Sequence, residues 1–133
     1  MIKTSFIAVL MLLSTEVLAD NQTALTSYSI ACMNQTAIVK GQFVPVKKVS
    51  LSSNAHYSIL TINDVQKTLP PLQVSNNHPS SLRTGQVNPD DTVIRVGVGR
   101  GALPALSVSL TDKAGNSLWE FIGVGCRDHA TVD

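Results

Sequence analysis

The sequence predicts an all-β fold, a single-domain sandwich or flattened barrel of about seven or eight mainly antiparallel strands. Apolar and polar residues alternate in most segments after residue 25, which is the period of a half-buried strand. Clusters of Gly, Pro, Asn and Asp separate these segments and are typical of turns. Beyond residue 19, no extended stretch repeats apolar residues at the i, i+3, i+4, i+7 spacing of an amphipathic helix.

The first nineteen residues have the composition of a secretory signal. They contain one basic residue, Lys3, an apolar run over residues 6–13, and Val17-Leu18-Ala19 as a cleavage site. The run is shorter than the roughly 20 residues that cross a bilayer, so we expect removal of the leader and no membrane insertion. Residues 20–133 then form one exported domain, periplasmic or secreted.

The net charge argues against nucleic acid as a partner. Ten basic and nine acidic residues give +1 with neutral histidines, and removing Lys3 and Glu16 with the leader leaves that value unchanged. Bulk binding of phosphates requires a basic surplus that this chain lacks.

The N-terminal half contains the first predicted strands. TSYSIACM alternates apolar and polar residues, and QTAIVKGQFVPVKKVSL follows as one or two strands broken at Gly41 and Pro45. The proline indicates an edge or a bulge, because it cannot donate a hydrogen bond to a neighbouring strand. HYSILTI and VQKTL flank Asn63-Asp64, a pair with hairpin-turn chemistry.

The composition changes over residues 70–91, which are rich in Pro, Ser, Asn and Gly and predict a long loop or a pair of loops. Such a length without secondary structure is unusual, so the segment either contains a short strand or carries function. Strands are predicted again in TVIRVGVG, ALSVSLTD and SLWEFIGVGC, and the residues after them form a polar tail. Leu118, Phe121 and Val124 are the expected core residues of the last strand.

The chain has two cysteines, Cys32 and Cys126, which lie far apart in the sequence and belong to no CxxC pair. In an oxidising compartment we expect a disulfide between them. The chain-entropy model assigns about 4–5 kcal/mol to closing a loop of this length. The alternative is a pair of free thiols available for chemistry or for a metal.

The titratable residues do not form a recognisable catalytic or metal-binding set. Glu120 is the single glutamate after residue 19, and the aspartates fall at turns. No serine lies in G-x-S-x-G or S-x-x-K, and His56, His78 and His129 form no H-x-x-x-H pair. The few aromatic residues also argue against a stacking groove for sugars or single strands. We therefore expect no enzymatic activity, no metal and no cofactor.

The segment VGVGRGALPAL, residues 96–106, places Arg100 between Gly99 and Gly101. Glycines allow the backbone to approach another surface closely, so the arginine is predicted to project and to meet a carboxylate of a partner. Leu103 would supply an apolar rim. The simpler alternative is a β-bulge that carries a surface arginine.

A second contact is predicted in the long loop. It comprises polar and basic residues that are expected to be exposed: Asn76, Asn77, His78 and Arg83. If Arg95 and Arg100 share a face with Arg83, the three form a basic patch that favours an acidic cleft as partner.

A small exported β domain with paired cysteines and no catalytic set resembles the bacterial periplasmic inhibitor and immunity proteins that block cell-wall hydrolases. The resemblance covers the signal, the size, the cysteines and the β-rich pattern. It implies a protein-binding module, monomeric or homodimeric, that occludes the active-site cleft of a peptidoglycan hydrolase or toxin with an exposed loop. The alternatives are a structural or adhesive surface-assembly subunit, which would add a partner strand at a sheet edge, and an enzyme or small-ligand carrier.

Overall fold

In the computed structural model, which describes residues 25–75 and 78–132, antiparallel strands form one curled sheet with the shape of half a barrel. The ten strands are β1 (Leu25–Val39), β2 (Gln42–Ser53), β3 (Ser58–Ile62), β4 (Val65–Leu69), β5 (Gln73–Ser75), β6 (His78–Val87), β7 (Val93–Gly99), β8 (Ala105–Thr111), β9 (Ser117–Val124) and β10 (Arg127–Val132). The described ranges contain no helix with the length and apolar character of a membrane span. The predicted leader lies outside the described residues.

The all-β prediction is confirmed. Of the two predicted architectures, a sandwich or a flattened barrel, the sandwich is not confirmed, and the count of ten strands is higher than the predicted seven or eight. Hydrogen bonds run without a break through β4, β3, β2, β1, β9, β8, β7, β6 and β5, and β10 pairs with β1 beside this path. The extra strands lie in residues 70–91, predicted as loop, and in the predicted polar tail. In β6 only Leu82 is a buried large apolar residue, so the alternation that reveals a strand is weak there.

Two tight turns shape the N-terminal half. Lys40 and Gly41, between β1 and β2, have φ angles of 50° and 80°, and two successive positive angles define the type I′ hairpin turn. The turn predicted at Asn63 is confirmed, and its Oδ1 accepts a hydrogen bond of 2.9 Å from the backbone N–H of Lys47. Pro45 lies in the part of β2 that pairs with β1 alone, as expected of a residue without an N–H donor.

The strand β1 carries a fork in the sheet. One edge of β1 pairs with β2. Along its other edge, the residues from Leu25 to Ala31 pair with β10, and Ala37 and Ile38 pair with β9. Cys32 lies in the gap between these two pairings, and Cys126 lies between β9 and β10. The predicted disulfide joins these two cysteines. It therefore pins the point at which β9 and β10 diverge, and it fits an oxidising compartment.

The concave side of the sheet holds the hydrophobic core. Phe121 is buried as predicted, and Leu118 is half-buried. The placement of Val124 in the core is wrong: it is 55% exposed, because strand alternation turns it to the opposite side from Phe121. The largest fully buried side chains come from eight strands and include Ile30, Leu51, Leu60, Leu69, Leu82, Val96, Leu106 and Phe121.

Candidate functional site

The convex side of strands β6 to β9 faces solvent, and we call it the outer face. Directly opposed residues cross it in two rows, which are Arg83, Gly97, Ser107 and Ile122 in one and Gly85, Arg95, Ser109 and Glu120 in the other. The side chains of β7 that alternate with this face, at positions 94, 96 and 98, are buried in the core. The outer face is therefore the second surface of a sheet whose first surface is already packed.

A groove with a cavity volume of about 550 Å³ follows the two rows. The groove is deep along its middle because the outward positions of β7 and β8 there include the small residues Gly97, Ser107 and Ser109. At Gly97 even a Cβ atom would lie 2.8 Å from Ser107 Oγ, so no larger residue fits without movement. Arg83 and Arg95 line one side of the groove, and Ile122 and Glu120 line the other. The groove thus has a basic wall and an opposite wall that is apolar at Ile122 and acidic at Glu120.

The apolar wall continues across β9 onto the β1–β2 hairpin. Phe43 lies directly opposite Ile38, and Ile38 lies opposite Glu120 on the same side as Ile122. Phe43 and Ile122 are 78% and 72% exposed, and Val124 follows two residues after Ile122. We call Ile38, Phe43, Ile122 and Val124 the apolar strip.

The arginines divide between two sites. Arg83 and Arg95 are both exposed and share the outer face, as the hypothesis of a basic patch required. Arg100 does not join them. It lines a separate cavity of about 500 Å³ with Tyr28, Ser80 and Asp128. The condition for a three-arginine patch is therefore met by Arg83 and Arg95 and not by Arg100.

Arg100 occupies a different environment from the one predicted for it. The residue is half-buried, its Nε atom is out of contact with solvent, and its backbone N–H donates a hydrogen bond of 2.8 Å to the Ser80 carbonyl. The guanidinium consequently lies against β1 and β10 and does not project as a wedge. The residues after it, Gly101 and Leu103, are exposed, and Leu103 is 68% exposed.

Tyr28 and Asp128 form the polar centre of that cavity. The Tyr28 hydroxyl donates a hydrogen bond of 2.9 Å to Asp128 Oδ2. Burial, this hydrogen bond and the negative charge of Asp128 raise the pKa of Tyr28 well above its ordinary value, and the positive charge of Arg100 opposes them. The hydroxyl therefore stays protonated and acts as a donor that ties β1 to β10.

Two further predicted contact residues, Gly99 and His78, lie near one end of the outer face. Gly99 pairs with Ser81, so the start of β6 lies beside the loop that follows β7. His78 is the first residue of β6, and Asn76 and Asn77 lie outside the described residues.

The turn aspartates are satisfied locally. Asp112 accepts hydrogen bonds of 2.8 Å from the Asn116 N–H and 2.9 Å from the Ala114 N–H, and these bonds lower the pKa of its carboxyl. Asp90 accepts from Thr92, which likewise lowers the pKa of Asp90. Over residues 25–75 and 78–132, no three His, Cys, Asp or Glu side chains are grouped to hold a metal ion.

Sequence reasoning missed the apolar strip, although the chain contains a signal for it. Large apolar residues stand at successive positions in Phe121-Ile122 and in Ile38-Val39. Since neighbouring residues of a strand face opposite sides, such runs place apolar side chains on both sides of the sheet. Comparison of the chain with protein-family models, with curated proteins and with solved structures finds no match.

Proposed function

We propose that this chain is a protein-binding module of an exported compartment, an inhibitor or immunity protein that covers the active-site cleft of a peptidoglycan hydrolase or secreted toxin. The observation that carries the proposal is the apolar strip beside the groove of the outer face. Clusters of exposed apolar side chains mark interaction sites, and here the cluster borders one charged residue, Glu120, which lies opposite Ile38. Here the strip includes an aromatic residue, Phe43, of the kind enriched at the centres of interfaces.

The free energy available from burying the apolar strip supports a protein partner. Fully burying a side chain such as Ile122 or Phe43 contributes about 1.5–3 kcal/mol. Four such groups contribute enough to offset part of the cost of association, which runs from about 4 kcal/mol upwards. A stable complex then needs further contacts across the groove.

Charge complementarity directs the proposal toward a hydrolase cleft. Enzymes that cleave glycosidic bonds use paired carboxylates, so their clefts are acidic. Arg83 and Arg95 outnumber Glu120 among the charged residues that line the groove, so the groove is positive on balance and matches such a cleft in sign.

The loop after β7 is the element proposed to enter the cleft. It follows Gly99 at one end of the outer face, and its exposed tip comprises residues 101–103. Arg100 lies at the base of this loop and lines the cavity beside Tyr28 and Asp128, and Leu103 is the exposed side chain at its tip.

A second candidate function is a structural or adhesive subunit. The strand β4 pairs only with β3, so one of its edges has no strand partner within the described sheet. A strand of another molecule can add to such an edge. Size-exclusion chromatography separates the two candidates, since an inhibitor elutes as a monomer or closed dimer and an assembly subunit forms larger species.

The test is capture from the envelope fraction of the host, followed by an assay of cell-wall lysis by whatever is captured. We expect the wild-type protein to retain a specific partner and to slow its lysis of a peptidoglycan suspension. Phe43→Ser should lose both effects. Val65→Ser is the matched control, because Val65 is 73% exposed on β4, away from the strip.

Two results would contradict the proposal. Equal capture by Phe43→Ser and Val65→Ser would remove the apolar strip as the contact surface. Capture of a partner that neither degrades peptidoglycan nor acts as a toxin would leave a binding module and refute the inhibitor role.

A further inference from the structure

Arg83 and Arg95 form a regular arrangement with two glycines on neighbouring strands. Arg83 lies directly opposite Gly97, and Arg95 lies directly opposite Gly85. The two arginines are therefore diagonal neighbours on one side of an antiparallel pair, where Cα atoms are about 7–8 Å apart. Within this pair of strands each arginine has a glycine opposite it, whereas on its other edge Arg83 lies opposite Gln73 and Arg95 lies opposite Ser109.

Packing against the backbone requires glycine at position 85, whereas at position 97 only the hydroxyl of the exposed Ser107 would have to rotate. A Cβ atom at Gly85 would lie 2.7 Å from the Ile94 carbonyl oxygen, and one at Gly97 would lie 2.8 Å from Ser107 Oγ. Real Cβ atoms do not approach backbone oxygen so closely. The space between the two arginine side chains thus remains open to a ligand.

The charges of the two arginines are not balanced inside the described part of the chain. There, neither side chain makes a hydrogen bond or an ion pair. The acidic residue nearest in the row is Glu120, which is two strands from Arg95, and two strand spacings amount to about 10 Å. Because the two arginines start from diagonal positions of one strand pair, an anion placed between their side chains is attracted by both positive charges.

We propose that Arg83 and Arg95 together form a carboxylate seat, in which an Asp or Glu side chain of the partner binds between the two guanidinium groups. Arginine presents a planar fork of N–H donors that matches a carboxylate bidentately. This inference rests on the proposed function, because it specifies what the partner presents to the groove. The outer face then receives a projecting acidic segment of the partner.

The neighbouring surface favours a peptide carboxylate over a free oxyanion or an acidic glycan. Ile122 lies in the same row as Arg83, with only Gly97 and Ser107 between them. A segment that carries acidic and apolar side chains can therefore reach the arginines and the apolar strip at once. Phosphate and an acidic polysaccharide have no apolar group for the second wall.

The experiment titrates the isotope-labelled protein with a capped peptide that alternates leucine and glutamate. Binding is followed by the NMR signals of the backbone amides and of the guanidinium groups. Matched titrations use the same peptide with glutamine in place of glutamate, inorganic phosphate, and a soluble acidic polysaccharide. We expect the glutamate peptide to shift the signals of Gly85, Gly97 and both guanidinium groups. Arg83→Ala and Arg95→Ala should each weaken the binding of the glutamate peptide at least about tenfold, and added salt should weaken its binding further.

Arg127→Ala is the matched control, since Arg127 is exposed on β10 and outside the groove, and it should bind the peptide as the wild type does. Equal binding of the glutamine peptide would overturn the inference, and so would equal losses in Arg127→Ala. Tighter binding of phosphate or polysaccharide at the same arginines would overturn the choice of a protein carboxylate.

Failure of this inference is distinguishable from failure of the proposed function. If Arg83→Ala and Arg95→Ala still capture the envelope partner and Phe43→Ser does not, the carboxylate seat is wrong and the function stands. If the glutamate peptide binds and the wild type captures no partner, the seat stands and the function is wrong.

Discussion

Tyr28 and Asp128, which are 100 residues apart in the sequence, are joined by a side-chain hydrogen bond of 2.9 Å. The bond links the first and last strands of the sheet on the far side of the fork from β9. Tyr28 is buried and Asp128 is exposed, so the hydrogen bond joins a core residue of β1 to a surface residue of β10.

Tyr28→Phe should lower the free energy of unfolding by about 1 kcal/mol, the net value of a typical hydrogen bond. The ring continues to fill its site, so only the hydroxyl is lost. Urea denaturation followed by tryptophan fluorescence measures the change. Tyr57→Phe is the control, because Tyr57 is 44% exposed and should change stability by less than about 0.5 kcal/mol.

The raised pKa of Tyr28 predicts a loss of stability at alkaline pH. The unfolded chain releases the Tyr28 proton near pH 10, whereas the folded protein holds it to higher pH. Stability from this group is therefore fully present below about pH 10 and falls as the pH rises above that value. Comparing urea denaturation at about pH 8 and about pH 11 should show a smaller alkaline loss in Tyr28→Phe than in wild type. Equal losses would refute the assignment.

Gly123→Ala should destabilise the protein by about 1–3 kcal/mol, the usual cost of overpacking a core. An added Cβ would lie 2.9 Å from Cys32 Sγ and 2.9 Å from two ring carbons of Phe121. Thermal denaturation measures the effect. Gly101→Ala is the matched control, since no atom outside its immediate neighbours lies within 4 Å of a Cβ there and the substitution should be tolerated.

Replacing both cysteines, in Cys32→Ala with Cys126→Ala, should cost about 4–5 kcal/mol in the chain-entropy model, given the sequence separation of 94. Amide hydrogen exchange should accelerate most in β10, because the bond pins that strand beside β1. Reducing the wild-type disulfide should reproduce the result. Uniform acceleration over all strands would show that the bond has no local role at the fork.

The sequence predicted the strand-built fold, the disulfide and the hairpin at Asn63, since each has a local signal. It did not predict β6 or β10. In β6 the positions that face outward are serine, arginine, glycine and valine, and its inward positions include Thr84 and Gln86, so the strand is recognised only by its pairing with β7. Pairing is a long-range property that periodicity cannot reveal.

The candidate site was predicted in part for the same reason. The glycines around Arg100 indicated a projecting loop, but Arg100 lines a cavity whose other residues include Tyr28 and Asp128, which come from strands distant in the sequence. Arg83 and Arg95 were both named from the sequence. Their common face follows from the antiparallel register between β6 and β7, which no local pattern specifies.

The most direct test of the account is the affinity of the captured partner for Ile122→Ser, measured by titration calorimetry beside wild type and Val65→Ser. Ile122 is 72% exposed in the middle of the apolar strip, so its replacement should weaken binding by about 1.5 kcal/mol or more, roughly tenfold. Val65→Ser should bind within about twofold of wild type, since surface changes outside an interface have little effect. Equal affinities for Ile122→Ser and wild type would contradict the claim that the outer face binds the partner.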